Sequence, residues 1–146
     1  MKDLKIIKFG FGIVLFIMIL SFAVIGVKTV WQESILKDYD SHLTQKEYTE
    51  VIDKNVNLVF YKPGCAYCHA GKKAVISAAE KSIYTTFFIN VESVEGQVLV
   101  KKYQVKKAAT IITLRDGKSK LYLYAAKDQK GKIKADEKAI KEALND

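Results

Sequence analysis

From Val56 to Tyr61 the chain is a nearly continuous apolar run, and the Pro-Gly pair just beyond it limits how the chain can continue. Such a run fits a strand buried on both faces, and a strand of that kind needs cover above and below its sheet. Pro63-Gly64 breaks the extended backbone, and Pro63 is the only proline in the chain. Directly after the break stand Cys65 and Cys68, the only two cysteines. They open a helix that reads from Ala66 to about Lys81. Its apolar face carries Cys68, Gly71, Val75 and Ala79, and Lys73, Glu80 and Lys81 lie mostly off it.

The cysteine spacing has a chemical meaning. Residues i and i+3 in the first turn of a helix share a face. Cys65 and Cys68 can therefore close a short disulfide with little backbone movement. The unpaired N–H groups and partial positive charge of a helix start favour a thiolate at Cys65. Lys62, His69, Lys72 and Lys73 add charge of the helpful sign. Redox exchange is one reading of the pair. Metal binding is another, with Cys65, Cys68 and His69 as three ligands where a closed zinc site wants four. Cys65-Ala66-Tyr67-Cys68-His69 also fits the C-x-x-C-H haem-attachment pattern, but both methionines, Met1 and Met18, belong to the N-terminal segment. A static disulfide is the plainest alternative, although so short a loop constrains the unfolded chain little.

The rest of the chain supplies the other elements. Thr44-Gln45-Lys46-Glu47 is a capping box opening a short helix through Tyr48, Val51 and Ile52. Thr85–Val91 reads as a strand, Glu95–Tyr103 as a helix, and Thr110–Leu114 and Lys120–Ala125 as strands. Arg115-Asp116-Gly117-Lys118 between the last two is a hairpin turn. Asp136–Leu144 is a closing helix. A strand–helix–strand unit at this spacing makes a parallel pair with a right-handed crossover, and the hairpin adds an antiparallel pair. The expected class is α/β, a mixed sheet with helices on both faces. In the hairpin, Tyr122 and Tyr124 alternate with Leu121 and Leu123, so one pair should enter the core and the other an edge.

Residues 9–27 carry no charge. As a helix they span about 28 Å, close to the ~30 Å hydrocarbon core of a bilayer. They read as a transmembrane signal-anchor in contact with membrane lipid; a cleaved signal peptide is the alternative. Lys2, Lys5 and Lys8 make residues 1–8 a cytoplasmic tail and place the rest outside the cell membrane, where disulfides persist. Residues 28–43 read as a polar stalk, including His42, and residues 44–146 as the domain. Beyond Trp31 there are 20 basic and 15 acidic residues, not gathered in blocks. Lys101, Lys102, Lys106 and Lys107 read as a solvated face, and no nucleic-acid motif accompanies them.

Two stretches resemble the thioredoxin-like superfamily. One is Phe60-Tyr61-Lys62-Pro63-Gly64-Cys65-Ala66-Tyr67-Cys68. The other runs from Tyr103 through Lys107-Ala108-Ala109-Thr110 to Gly117. The tethered form is similar to bacteriocin-transport accessory proteins. The resemblance implies a thioredoxin-like fold and thiol–disulfide exchange without a cofactor. Cys65 would attack and Cys68 would resolve the mixed disulfide. Ala108, Ala109 and Thr110 would face the site, and Lys62, Pro63, Tyr67 and His69 would modulate it. Cysteine-containing exported proteins would be the partners, with a membrane redox partner to renew the pair. The rival readings are a non-catalytic accessory module of an export or conjugation apparatus and a metal or cluster carrier. Two positions depart from the family pattern: Val59 stands where a buried acid is common, and Ala109 where a cis-proline is common. The Ala108–Ala109 bond is expected to be trans, exchange to be weaker and less selective than in a proline-bearing relative, and Ala109→Pro to raise turnover with a generic disulfide substrate and to reduce any metal bound.

Overall fold

The computed structural model describes residues 17–18, 38–39, 42–50 and 55–145. The expected cytoplasmic tail, the apolar segment 9–27 apart from the helical pair Ile17 and Met18, and most of the expected stalk lie outside the described residues. Among the described residues no helix is long and apolar enough to cross a membrane. The chain divides after Lys37, and the fold is that of the unit Asp38–Asp146.

The elements run α1 (Gln45–Glu50), β1 (Val56–Tyr61), α2 (Ala66–Ala79), β2 (Thr85–Asn90), α3 (Val94–Lys102), β3 (Thr110–Arg115), β4 (Lys118–Leu123), β5 (Ala125–Lys127), β6 (Ile133–Ala135) and α4 (Glu137–Leu144). The main sheet has the order β2-β1-β3-β4. β1 and β2 are parallel, with Phe60 opposite Ile89. β3 runs antiparallel to both β1 and β4. The crossover and the hairpin expected from sequence are both present. At the hairpin tip Asp116 and Gly117 take φ of 49° and 78°, the paired positive values of a turn that matches strand twist. The outer edge of β2 is met at one bridge, Thr44 to Phe88. There the Phe88 N–H donates to the Leu43 carbonyl at 2.7 Å.

Every residue of β1 is buried, so its alternating side chains feed two cores. Val59 and Tyr61 join Phe88 and Ile111 beneath Cys68, Val75 and Ile76 of α2 and Ile140, Ala143 and Leu144 of α4. Val56, Leu58 and Phe60 join Phe87, Ile89 and Ile112 against Leu99 of α3, with Tyr48 of α1 packed alongside. The helices therefore cover both faces. Asn57 is the polar exception in β1. Its amide donates to Ser82 and Thr86, and its oxygen accepts from Arg115 at 2.8 Å, so a fully buried amide is satisfied.

Two details differ from the sequence reading. The strand expected over Lys120–Ala125 breaks at Tyr124. That residue's N–H donates to the Ala109 carbonyl at 3.1 Å and its carbonyl accepts from Asp136 at 2.9 Å. The backbone thus leaves the ladder, and Ala125–Lys127 turns to pair with Ile133–Ala135, a hairpin absent from the sequence reading. Asp128 shapes its loop, its side chain accepting from Lys130 and Lys132 N–H groups. The second detail is Tyr39. Placed by its polar neighbours in a stalk, it is buried to 4% exposure among the core residues under α2. Its ring stacks on Tyr61 at 4.5 Å and tilts against Phe88 at 5.5 Å.

Candidate functional site

The sharp turn from β1 into α2 sets the site. Pro63 and Gly64 occupy the middle of a turn closed by the Cys65 N–H donating to the Lys62 carbonyl at 3.2 Å. Gly64 has φ of 72°, which glycine adopts without steric penalty. Cys65 is the N-cap of α2: its sulfur accepts from the Cys68 N–H at 3.3 Å. Its carbonyl accepts from His69 at 2.9 Å as the first helical bond. One turn along, Cys68 points into the core. Cys65 is half-buried and Cys68 is buried; both are thiols here. Burial pushes the Cys68 thiol up, and its hydrogen bond with the neighbouring Cys65 thiol adds to this. The backbone at Lys62 and, after it, the Tyr124 hydroxyl pull the other way.

Cys65 lies between two hollows. One, of about 480 Å³, is lined by Tyr39, Tyr61, Lys62, Pro63, His69 and Lys72 among others. It carries a basic rim, although Lys72 is paired with Asp38 at 3.0 Å and Lys62 with Glu92 at 3.1 Å. The other, of about 440 Å³, is largely apolar and lies against Tyr67, Ala108, Ala109 and Leu123. A larger hollow of about 610 Å³ between α2 and α4 contains neither cysteine. The structure thus brings Lys62, Pro63, Tyr67 and His69 around the pair and sets Ala108 and Ala109 opposite Cys65. Thr110 is placed otherwise. It is buried, and its hydroxyl donates back to the Lys107 carbonyl at 2.9 Å. Lys101, Lys102, Lys106 and Lys107 are exposed, as a solvated face requires.

The Ala108–Ala109 bond is trans, since no described peptide bond is cis. Ala109 adopts φ of 55°, a left-handed conformation that costs a residue with a Cβ about 1–2 kcal/mol. Proline is locked near −65°, so Ala109→Pro is no local repair of this loop. The backbone would have to be rebuilt around a proline placed there.

Among the described residues no group of three or more His, Cys, Asp and Glu side chains stands together as a metal site. Val59 is buried in the same cluster as Cys68, and the polar groups there come instead from two tyrosines that sequence reasoning did not place at the site. The Tyr39 hydroxyl donates to the Cys68 carbonyl at 2.8 Å. The Tyr124 hydroxyl lies 3.5 Å from that of Tyr39 and 3.3 Å from the Phe60 carbonyl, to which it donates. The alternation in Leu121-Tyr122-Leu123-Tyr124 was the one available signal for Tyr124; Leu121 and Leu123 are indeed its exposed counterparts. Nothing near Tyr39 in sequence marked it.

Comparisons with known proteins place this architecture. No curated protein matches the chain. Among solved structures, thioredoxin O2 from Arabidopsis thaliana in its oxidized state is similar over 53% of this chain and 73% of its own, at 15% identity and a TM-score of 0.45. The thioredoxin family profile matches residues 40–142, most of the sequence and both cysteines of the site. The chain belongs to the thioredoxin family.

Proposed function

We propose that the chain is an extracytoplasmic thiol–disulfide oxidoreductase, held in the cell membrane by residues 9–27, that exchanges disulfides with exported proteins. The observation that carries this reading is the asymmetry of the pair: Cys65 reaches solvent at a helix N-cap while Cys68 is buried one turn behind it. A partially exposed cysteine at a helix start is placed to attack. The buried one is placed to displace the substrate from the mixed disulfide. The apolar hollow beside Cys65 offers room for a neighbouring segment of substrate chain.

In cells producing the full chain, Cys68→Ser is expected to accumulate mixed disulfides with cysteine-containing exported proteins, and Cys65→Ser to accumulate none. Equal trapping by both variants, or by neither, would favour a non-catalytic accessory module. A membrane-impermeant thiol reagent applied to whole cells after reduction is expected to label Cys65. Labelling only after lysis would contradict the placement outside.

A further inference from the structure

Cys68 must carry negative charge at some point in exchange, yet among the described residues no Asp, Glu, Lys or Arg is buried. Around Cys68 stand Cys65, whose sulfur accepts from the Cys68 N–H at 3.3 Å, the backbone at Lys62, the Tyr39 hydroxyl on the Cys68 carbonyl at 2.8 Å, and the Tyr124 hydroxyl 3.5 Å from that of Tyr39. Asp38, His69 and Lys72 stand on the rim of the adjoining hollow. The two hydroxyls are not equivalent. Tyr39 commits its one hydrogen to the Cys68 carbonyl at 2.8 Å, the usual length for such a bond. Tyr124 has only long oxygen partners, the Phe60 carbonyl at 3.3 Å and the Tyr39 hydroxyl at 3.5 Å. Cys68 lies in the same buried cluster, and the Tyr39 hydroxyl that Tyr124 faces is the one bonded to the Cys68 carbonyl. A thiol is a weak acceptor, but charge-assisted bonds are roughly twice as strong as neutral ones. The ring is fixed in place: a Cβ at Gly71 would stand 2.4 Å from Tyr124 Cδ2, and both backbone polar groups of Tyr124 are bonded.

We propose that the Tyr124 hydroxyl is the internal side-chain hydrogen-bond donor to the Cys68 thiolate, turning its hydrogen from the Phe60 carbonyl to the sulfur when that sulfur loses its proton. The inference rests on the reading of the pair as an exchange centre. With Cys65 joined to a substrate sulfur, Cys68 gives its proton to solvent and its thiolate attacks the Cys65 sulfur. The Cys65–Cys68 bond forms as the Cys65–substrate bond breaks, and the departing substrate thiolate takes a proton from solvent. Over the two steps the cysteine pair loses two electrons and the substrate disulfide gains them.

Tyr124→Phe removes the oxygen and keeps the ring. In the full chain, resolution of a mixed disulfide between Cys65 and an aromatic thiol should slow about tenfold at pH values below the midpoint of its pH profile. The midpoint itself should rise by about one unit, the scale of a hydrogen bond to a charged group. The initial attack by Cys65 should keep its rate, and Tyr39→Phe should move the midpoint less. An unmoved midpoint overturns the proposal, as does slowing by the same factor at every pH, which is the mark of a packing defect. If the unaltered chain forms no mixed disulfide, the exchange reading fails by itself. Titration of Cys68 by thiolate absorbance in Cys65→Ser, with and without Tyr124→Phe, then decides the inference separately: a gap of about one unit supports it and coincident curves overturn it.

Discussion

Gly71 shows how one missing side chain shapes the site. Alanine is better than glycine in a helix interior by about 1 kcal/mol, so Gly71→Ala in α2 would ordinarily stabilise. Here the added carbon would meet Tyr124 Cδ2 at 2.4 Å and the Tyr124 carbonyl at 3.1 Å, a rigid ring and a backbone atom held by Asp136. Overpacking of this kind costs about 1–3 kcal/mol, enough to reverse the sign. The expected result is a lower denaturant midpoint with an unchanged slope; a gain in stability would show that the ring yields. Ala109 is the converse case, a Cβ kept where the backbone disfavours one. It is buried to 3% exposure in the same cluster as the tyrosines, where its methyl group fills space that glycine would leave.

At the scale of elements, legibility in the sequence followed the locality of the signal. β1 could be read because burial on both faces imprints an unbroken apolar run, and the start of α2 because a lone Pro-Gly ends that run. The capping box could be read because its partners are three residues apart: the Thr44 N–H donates to the Glu47 carboxylate at 2.7 Å. The closing helix could be read through Asp136, whose side chain accepts from Ala139. The β5–β6 hairpin could not, because strands of three residues give too little alternation to stand out. Its cause lies in backbone bonds that tie Tyr124 to Ala109 and to Asp136, contacts that no local pattern announces. The site divided along the same line. The two cysteines and their flanking loop were visible as a local motif. Tyr39 was not, because it reaches Cys68 from 29 positions away, out of a stretch whose neighbours are polar.

For the whole molecule, buried tyrosines set the pH range of stability. The Tyr48 hydroxyl, pushed up to about 12 chiefly by burial, shares a 2.7 Å hydrogen bond with Tyr103. Burial also raises Tyr39 and Tyr124 above the ordinary value of 10.0. Above that pH the unfolded chain has lost these protons while the folded one retains them, so unfolding is favoured as pH rises. Their contribution is complete below about pH 10 and is lost on the way through the folded values. On the acid side Glu47, Asp128 and Glu142 are lowered by their partners. Their contribution is lost as pH falls through those lowered values, but they are exposed and contribute little. The thermal midpoint, followed by circular dichroism, should fall more steeply on the alkaline limb; a flat alkaline limb would contradict the burial of the three hydroxyls. The position of Tyr39 has a practical consequence as well. The cap at Thr44 makes an inviting place to begin a shortened chain, yet a truncation there discards the ring against Tyr61 and the hydroxyl on Cys68. Loss of a large buried aromatic costs about 3–5 kcal/mol, and alkylation of Cys68 in such a fragment should quicken. A fragment meant to report the redox behaviour of this protein has to start upstream of Asp38.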